Sequence, residues 1–483
     1  MVTYFGENGA SANGRGVTYV LGDQIKHGTE GTVYSIEGNP GMVAKVYAQK
    51  RYDEVSDRRQ GRPDGRAFMH AKLREMVRQG KSVNSQQWSS VHGHSFLAWP
   101  ADTLVDANGR FCGYVMPRVK GKGNLYAAID EGAHDGFFGP GNYTWRTAIK
   151  IAKQLAYVVG KLHDAGIVVG DFNPQNFLID SNGFVSFCDT DSYTISPKYK
   201  TFVAFPGYVA PELQGKPWSM TRPDCQFTKE SDVFSLSCLI FQLLTGKHPF
   251  NGIVMRSGMN SVSQSSEERN ITNGDCPYVH HGIAVRQPDA PDVYGLLFPP
   301  ELRDLCNRCF DYTVKDARNP KTISRRPTAA DWYFALDALS ETGYSGNRLT
   351  CCKSNAQHYY LPGAGISRSS RCPWCERDEH FASASAAFRS GADGGGIAPN
   401  TATSVISSPN MVSAKNAGGP VVQKPNANTQ TTQGYGLTPN AAKFCKTALK
   451  WAACAAVVVT LIALVLNVWP IIPIALILAC LRK

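Results

Sequence analysis

The chain has 483 residues, which is more than one ordinary domain needs, so its length predicts two or three units. Lys and Arg number 50 against 39 Asp and Glu, and this small basic surplus comes without a basic run, so we expect no nucleic-acid partner. The polar N-terminus has no basic-then-apolar signal and the 14 cysteines form no secreted framework. Most of the chain is therefore expected in a reducing cytosol.

Composition changes divide the chain into four parts. Residues 17–343 have mixed charge and apolar periodicity, which predicts a globular domain, and residues 349–378 are rich in Cys and His. Residues 382–440 contain mainly Ala, Ser, Gly, Asn, Thr and Pro, which cannot bury enough surface to offset their ordering entropy, so they are predicted to be a disordered linker. The apolar residues 448–481 are long enough to predict a transmembrane segment.

Within the globular domain, strand patterns come first and helix patterns follow. TYVLGDQI, TVYSIEG and MVAKVYA predict three strands, residues 64–79 a helix, and FLAWPADTLVD and FCGYVMPRV two more strands. After Tyr143 the apolar residues recur at i, i+3, i+4 and i+7, which is typical of a helix. The order favours an α+β protein with a strand-rich N-lobe over about 17–118 and a helical C-lobe over about 119–343.

Seven short motifs follow one another in this domain: HGTEGTVY, VAKVY, LHDAGIVVGDFNPQNFLID, VSFCDTDSY, GYVAPEL, SDVFSLSCLIFQLLTGKHPF and SRRPTAADW. The first contains glycines, which let backbone N–H groups approach a phosphate with no Cβ in the way. In order and spacing the motifs resemble those of the protein kinase family over roughly residues 17–340. The resemblance implies a two-lobed protein-kinase-like fold with ATP and Mg²⁺ as cofactors, Mn²⁺ being an alternative.

The nucleotide site that the resemblance implies lies on the N-lobe and the hinge. Its contact residues would be Gly28, Gly31, Val33, Lys45, Met116, Pro117, Arg118 and Val119. Lys45 would neutralise the α- and β-phosphates and pair with a glutamate on the next helix, for which Glu75 is the candidate. The alternative for Glu75 is a solvated surface charge. Met116 would be the gatekeeper, with adenine bonded to backbone groups of the three residues after it.

The catalytic residues that the resemblance implies lie on the C-lobe. Asp171 would accept the proton of the substrate hydroxyl, and Asn176 and Asp189 would hold Mg²⁺, which prefers hard oxygen ligands. Two structural contacts are also implied: Asp232 would brace the catalytic loop, and Arg326 would form a buried pair with Glu212.

Three departures from the usual kinase motifs stand out. Val169-Gly170 replaces His-Arg before the catalytic aspartate, so control by an activation-loop phosphate is not expected. Asn173 replaces the catalytic-loop lysine, and Asp189-Thr190-Asp191 replaces Asp-Phe-Gly. This pattern, together with the CPWC segment, resembles an atypical bacterial subgroup of eukaryotic-like protein kinases with a GDxNxxN loop and a DTD metal motif.

The Cys/His segment has the spacing C-x5-H-x13-C-x2-C, given by Cys352, His358, Cys372 and Cys375. Three thiolates and an imidazole complete a tetrahedral set, so the segment is predicted to be a zinc-ribbon-like module with a structural Zn²⁺. Cys351 could replace Cys352, and a redox CxxC pair is the alternative. A second CxxC, within LRDLCNRCF, lies in a helical pattern and is predicted to be buried thiols.

The apolar tail has a charge-poor run from Ala448 to Leu466 that is interrupted at 467–470 and continues to a basic end. Lysines before it favour a cytosolic N-terminal side. We therefore expect an inner (plasma) membrane protein with a cytoplasmic kinase domain and a C-terminal anchor. A single crossing with a proline kink is favoured over a re-entrant hairpin.

The predicted function is ATP-dependent phosphorylation of Ser/Thr hydroxyls on a protein substrate in membrane-anchored bacterial signalling. The alternative is a nucleotide-binding pseudokinase that acts as a scaffold, its zinc module recruiting a partner. A small-molecule kinase is a third interpretation, although such enzymes usually lack the Ala-Pro-Glu motif. The sequence does not predict the oligomeric state.

Overall fold

In this computed structural model the described residues are 2–7, 16–83, 90–91, 94–216, 218, 222–251, 253–255, 267–279, 284–286, 293–340, 349–365 and 371–379. The elements of the first lobe are β1 (Val2–Gly6), β2 (Thr18–His27), β3 (Gly31–Ile36), β4 (Met42–Tyr47), α1 (Gln49–Val55), α2 (Gly65–Val83), β5 (Ser90–Val91), β6 (His94–Ser95), β7 (Asp102–Val105) and β8 (Phe111–Pro117).

Six of these strands close into an antiparallel barrel in the order β1-β2-β3-β4-β8-β7. The alternating strands bury a small core inside it, made of Leu21, Ile36, Ala44, Leu104 and Val115. The sequence did not indicate β1, which pairs with β2 on one side and β7 on the other. The folded domain therefore includes a strand before residue 17, where the prediction began.

Helix α2 packs beside β7 and β8, and α1 packs against α2. The main hydrophobic core passes through α2, with Leu73 and Met76 buried, and continues into the second lobe. Trp99 is fully buried there and donates its indole N–H to the carbonyl of Met76 at 2.9 Å. The predicted helix at 64–79 is thus found, extended at its C-terminal end.

The second lobe is mainly helical. Its elements are β9 (Gly123–Asn124), α3 (Tyr126–Ile129), α4 (His134–Phe138), α5 (Trp145–Asp164), β10 (Phe177–Ile179), β11 (Val185–Phe187), α6 (Lys229–Thr245), β12 (Ile253–Met255), α7 (Glu267–Asn273), β13 (Ala284–Arg286), α8 (Val293–Leu297), α9 (Pro300–Phe310), α10 (Pro320–Ser324) and α11 (Ala329–Asp337).

Local sequence signals set the long helices of this lobe. Thr144 caps the start of α5 and Thr228 caps the start of α6. Each exchanges side-chain-to-backbone hydrogen bonds in both directions with the residue three positions later. Gly246 ends α6 in the left-handed conformation, φ +71°, where glycine is favoured. Helix α5 packs between α6 and α11, which buries its apolar face and orients the loop that follows it.

A short hairpin of β14 (Thr350–Cys351) and β15 (Tyr359–Tyr360) follows the second lobe and packs against the start of α5. Within the ranges described, no helix combines the length and the apolar composition needed to cross a bilayer. The predicted linker at 382–440 and the apolar segment at 448–481 lie outside those ranges.

Candidate active site

The glycine motif forms the tight turn between β2 and β3. The N–H of Gly28 donates to the carbonyl of Gly31 at 2.9 Å, and the reverse bond is 3.3 Å. A Cβ on Gly31 would lie 2.3 Å from the carbonyl oxygen of Val46, so only glycine lets β3 approach β4 this closely. Val33 of the motif lies opposite Lys45 in the register of these strands, which brings the loop and the lysine together.

Lys45 lies on β4 with its ammonium group buried among carboxylates. Its Nζ is 3.1 Å from Oδ1 of Asp189 and 3.1 Å from Oδ1 of Asp191, and 3.6 Å from Oε2 of Glu30. Burial alone would lower the pKa of Lys45, but these anions raise it well above its usual value. The lysine therefore stays charged, as phosphate neutralisation requires.

The predicted pairing of Lys45 with Glu75 is wrong. The Glu75 carboxylate faces its own helix, where it accepts from Nε of Arg78 at 2.9 Å and from Gln79 at 3.0 Å. Its pKa is lowered, mainly by the hydrogen bond from Arg78. Glu75 therefore fits the alternative prediction, a charge on the surface of the helix, better than a partner of Lys45. Its i,i+3 spacing from Arg78 explains the direction of its side chain.

The Asp-Thr-Asp motif follows β11 and divides three roles among adjacent residues. Asp189 has φ +51°, and it is the one non-glycine residue with a positive φ in the described chain. Its side chain is 46% exposed, so its carboxylate is accessible to a cation from solvent. Thr190 is fully buried and donates its hydroxyl to the carbonyl of Ala98 at 2.8 Å, a polar anchor where kinases of the usual motif have a phenylalanine.

Asp191 points into the N-lobe. Its Oδ2 accepts from the hydroxyl of Tyr47 at 2.7 Å and its Oδ1 from the hydroxyl of Tyr114 at 2.9 Å. Lys45 lies 3.1 and 3.4 Å from the two oxygens. Burial would raise the pKa of this carboxyl, but Lys45, the Tyr47 hydroxyl and Arg51 hold it well below its usual range. The sequence predicted no role for Asp191, which stood out only as a departure from the family motif. Its signal was a second carboxylate two residues after Asp189.

The catalytic loop holds Asp171 and Asn176 together. Nδ2 of Asn176 donates to Oδ2 of Asp171 at 3.0 Å, while Oδ1 of Asp171 is buried with no hydrogen-bond partner among the described residues. Burial raises the pKa of Asp171 to about 6, against the opposing effect of the Asn176 bond. Asn173, where kinases usually have a lysine, instead caps the short turn after it by accepting from the N–H of Gln175.

Asp232 braces this loop from the start of α6, as the family resemblance implied. Its fully buried carboxylate accepts from the N–H groups of Val169 at 2.6 Å and Gly170 at 2.8 Å, and it lies 3.0 Å from Nε2 of His163. The second implied contact is also present, since the Arg326 guanidinium bonds both oxygens of Glu212 at 2.7 Å.

The hinge allows a narrower set of adenine contacts than predicted. Met116 is buried at the end of β8. The N–H of Arg118 is already donated to the carbonyl of Gly41 at 2.8 Å, and Pro117 has no N–H. A backbone donor to adenine would therefore have to come from Val119.

The Cys/His cluster forms a second site, whose four ligand atoms all lie within 4.8 Å of one another. Sγ of Cys352 lies 3.6 Å from Sγ of Cys375, and Nδ1 of His358 lies 3.7 Å from Sγ of Cys372 and 3.5 Å from Sγ of Cys375. Tetrahedral Zn²⁺ with bonds of about 2.3 Å to sulfur and 2.0–2.1 Å to nitrogen would separate its ligands by about 3.5–3.8 Å. The donor set and spacing thus fit zinc, and Cys352 rather than Cys351 lies in the cluster.

The module is docked on the helical lobe. The rings of Trp374 and Trp145 meet edge to face with centroids 6.4 Å apart, and the Trp374 indole N–H donates to the carbonyl of Tyr359 at 2.7 Å. Arg146 stacks on the ring of Tyr359 with its guanidinium carbon 4.5 Å from the centroid. Farther along the module, Arg303 of α9 donates to the carbonyl of Ala364 at 2.9 Å.

Comparisons with known proteins agree with this geometry. Residues 127–327 match the model of the protein kinase domain. The chain is 26% identical over 367 residues to "Protein kinase YegI" of Escherichia coli K12, a match covering 74% of this chain and 48% of that protein. It is 31% identical over 169 residues to "Probable serine/threonine-protein kinase PknB" of Corynebacterium glutamicum, covering 33% of this chain and 23% of that protein.

These matches support a protein kinase domain of the bacterial eukaryotic-like family. A third relative, "Serine/threonine-protein kinases drp72" of Corynebacterium efficiens, is 26% identical over 238 residues, covering 47% of this chain and 40% of that protein. The chain spans about half the length of YegI. The kinase domain supports the two-lobed fold, and it implies ATP and Mg²⁺ as ligands of the site.

Proposed function

We propose that this chain transfers the γ-phosphoryl group of ATP to Ser or Thr hydroxyls of a protein substrate. The observation that carries the proposal is the convergence of Lys45, Asp171, Asn176 and Asp189 at the junction of the two lobes. Asn176 touches Asp171, Asp189 touches Lys45, and the carboxylates of Asp171 and Asp189 are close enough to influence each other's charge. The names of the two Corynebacterium relatives, PknB and drp72, support Ser/Thr specificity.

Each residue has a role that its surroundings allow. Lys45 would neutralise phosphate charge, because it remains protonated in its pocket. Asp189, partly exposed, and the amide oxygen of Asn176 are the hard ligands that Mg²⁺ prefers, and Mn²⁺ would be accepted by the same set. When bound, Mg·ATP supplies the phosphoryl group and its charge neutralisation.

Asp171 would receive the proton of the attacking hydroxyl. Its pKa of about 6 leaves it mostly ionised at pH 7 yet basic enough to take that proton. Asp232 keeps the loop in place through two backbone bonds. Replacement of the usual lysine by Asn173 removes one positive charge from the γ-phosphate, so a slow enzyme is expected.

A phosphoryl-transfer assay on the full chain, purified in mild detergent with labelled ATP and Mg²⁺, tests this function. Wild type should label itself or a generic protein substrate on Ser or Thr, as phosphoamino acid analysis would show, and Asp171→Ala should lose transfer by a factor on the order of 10² or more. Nucleotide binding without transfer in wild type would favour the pseudokinase scaffold instead. Label found only on tyrosine would reject the Ser/Thr assignment.

We also propose that the segment at 448–481 anchors the chain in the inner membrane, with the kinase domain in the cytoplasm. The support is the sequence alone: a long apolar run follows Lys443, Lys446 and Lys450, and ATP is cytosolic. Truncation before Ala441 should move the protein from the membrane fraction to the soluble fraction while it keeps nucleotide binding. A truncated chain that still pellets with membranes after a high-salt wash would contradict the anchor.

A further inference from the structure

We propose that Asp191, and not a glutamate of helix α2, is the positioning residue that holds Lys45 in place for the phosphates of ATP. The inference rests on the proposed kinase function and concerns how its phosphate-binding lysine is oriented. In the usual arrangement a carboxylate on this helix does so. Here the helix offers Glu75, whose carboxylate is engaged by Arg78 and Gln79 instead.

The geometry around Asp191 has the properties of a fixed counterion. The side chain is 5% exposed, and both of its oxygens are shared between Lys45 and a tyrosine hydroxyl. Tyr47 and Tyr114 are themselves buried on β4 and β8, the two strands that flank each other in the barrel. Charge-assisted bonds of this kind are the strong ones, so they restrain the Asp191 carboxylate in this position.

Asp189 differs from Asp191 although both touch Lys45 at 3.1 Å. Its side chain is 46% exposed, and no tyrosine restrains its carboxylate in the contacts of the described chain. Coordination of Mg²⁺ by Asp189 would weaken its pairing with Lys45, because the metal and the ammonium group draw on the same negative charge. The second aspartate lets this happen, because Lys45 keeps one anion while the other turns to the metal.

The charged groups around Lys45 agree with this division of roles between Asp189 and Asp191. On the helix side, the guanidinium of buried Arg51 on α1 and the buried amine of Lys72 on α2 lie where a carboxylate was expected, and both feel the charge of Asp191. Glu30 from the glycine turn bridges Lys45 at 3.6 Å and Arg51 at 3.0 Å. The carboxylate that compensates these cations from within the core is thus supplied by the segment after β11 and not by α2.

The experiment compares Asp191→Asn with Glu75→Gln in the full chain. Without Asp191, Lys45 should be drawn to Asp189, so metal binding competes with the lysine. We expect the Mg²⁺ concentration for half-maximal ADP binding to rise about tenfold, and kcat to fall on the order of 10²-fold, as misplacement of a phosphate-binding group by about 1 Å can cause. Glu75→Gln should match wild type in both measurements.

Two further variants keep the test decisive. Asp191→Glu should restore part of the Mg²⁺ response, since it restores the charge. If Asp191→Asn does not fold, Tyr47→Phe with Tyr114→Phe removes the two restraining hydroxyls and should shift the Mg²⁺ response in the same direction. A folded variant of either kind with a wild-type Mg²⁺ response, or a large shift in Glu75→Gln, would overturn the proposal. The ADP measurement involves no phosphoryl transfer, so a chain that binds Mg·ADP normally but transfers nothing would overturn the kinase function and leave this inference standing.

Discussion

Lys72 is a buried lysine in the middle of α2, 7% exposed. Desolvation lowers its pKa from 10.5 to about 7, although Asp191 partly offsets this and Arg51 adds to it. Between those two pH values the unfolded chain binds a proton that the folded chain has released. The free energy of unfolding therefore gains about 1.4 kcal/mol per pH unit from this group between about pH 7 and 10.5, and below pH 7 the burial penalty is fully present.

Lys72→Met should remove that pH dependence. The variant is expected to be more stable than wild type at pH 7, with the difference shrinking as the pH approaches 10, because wild-type Lys72 is then neutral in both states. Denaturant unfolding at pH 7, 8, 9 and 10 measures this, with Lys50→Met on the exposed face of α1 as control. Parallel stability curves for wild type and Lys72→Met would contradict the prediction.

Gly170 occupies the position before Asp171 where kinases usually have an arginine for the activation-loop phosphate. It has φ +75°, and a Cβ there would lie 2.3 Å from Cγ2 of Thr201. Thr201 is 1% exposed and is held by the hydroxyl of Thr194, which accepts its N–H at 2.8 Å. The activation segment, which is the stretch between Asp189 and Glu212, thus packs directly on the catalytic loop at a place where no arginine side chain would fit.

Gly170→Ala should therefore destabilise the protein more than a positive φ alone explains. Gly166 is the matched control, because it has φ +76° and nothing within 4 Å of its Cβ position. Gly166→Ala should cost about 1–2 kcal/mol for the backbone conformation, and Gly170→Ala clearly more. Adding Thr201→Ser to Gly170→Ala should recover the excess; equal losses in the two alanine variants would show that the contact has no energetic weight.

The active-site residues show which features of the site the sequence could predict and which it could not. Lys45, Asp171, Asn176 and Asp189 converge at the junction of the lobes because motif order reflects the kinase topology. The partner of Lys45 was mispredicted because Glu75 has the expected residue type and spacing, while the direction of its side chain depends on Arg78. No local pattern reports that Tyr47 and Tyr114 lie beside Asp191, since these contacts join residues 144 and 77 positions apart.

At the scale of elements, β1 closes the N-lobe barrel. It makes four register pairs with β2 and two with β7, and at its end Glu7 donates its N–H to Asp102 at 3.1 Å. The Glu7 carboxylate also meets His70 of α2 and the hydroxyl of Thr103. A polar, glycine-rich stretch separates β1 from β2, so five residues of strand pattern at the chain's start gave too short a signal to be predicted.

Deletion of residues 1–7 should open the barrel and expose the edges of β2 and β7. Cross-strand pairs contribute about 0.2–1 kcal/mol each, so the loss is on the order of 1–6 kcal/mol. Thermal unfolding would measure it, and Glu7→Gln, which keeps the strand, should lose only a fraction. Unchanged stability in the deletion variant would mean that β1 contributes nothing to the barrel.

At the scale of the whole molecule, two segments make contacts between parts that are far apart in the sequence. The activation segment packs against the N-lobe, and the Cys/His module packs against the helical lobe. Arg62, between α1 and α2, lies 4.4 Å from the ring centroid of Phe202, and Phe68 of α2 meets Tyr199 edge to face. Packing thus holds the N-lobe helix to the C-lobe. This agrees with the absence of the arginine that binds an activation-loop phosphate in other kinases. The sequence predicted the ligand set of the module but not its docking on α5, which depends on aromatic surfaces far apart in the chain.

Because the module is docked, we expect a metal bound by its four ligands to stabilise the kinase lobe as well as the module itself. Four ligands leave no open position, so the site would be structural, and Ser354 supports it by donating its N–H to Sγ of Cys352 at 3.4 Å, which lowers the pKa of that thiol to about 7. Nε2 of His358 lies 3.5 Å from Oδ2 of Asp378, the kind of carboxylate that orients a ligating imidazole.

We expect one zinc per chain by metal analysis of the full-length protein. Cys352→Ser and the pair Cys372→Ser with Cys375→Ser should lose it, because a hydroxyl is a far weaker ligand than a thiolate. Cys351→Ser should keep it, since Cys351 is exposed and outside the cluster, which makes it a control one residue away.

Loss of the metal should separate Trp374 from Trp145, change the tryptophan emission and lower the Tm of the kinase lobe together with that of the module. Zinc-free wild type, or a Cys351→Ser variant that loses as much metal as Cys352→Ser, would reject the site; retention of the full Tm after metal loss would show that the docking contacts stand without it.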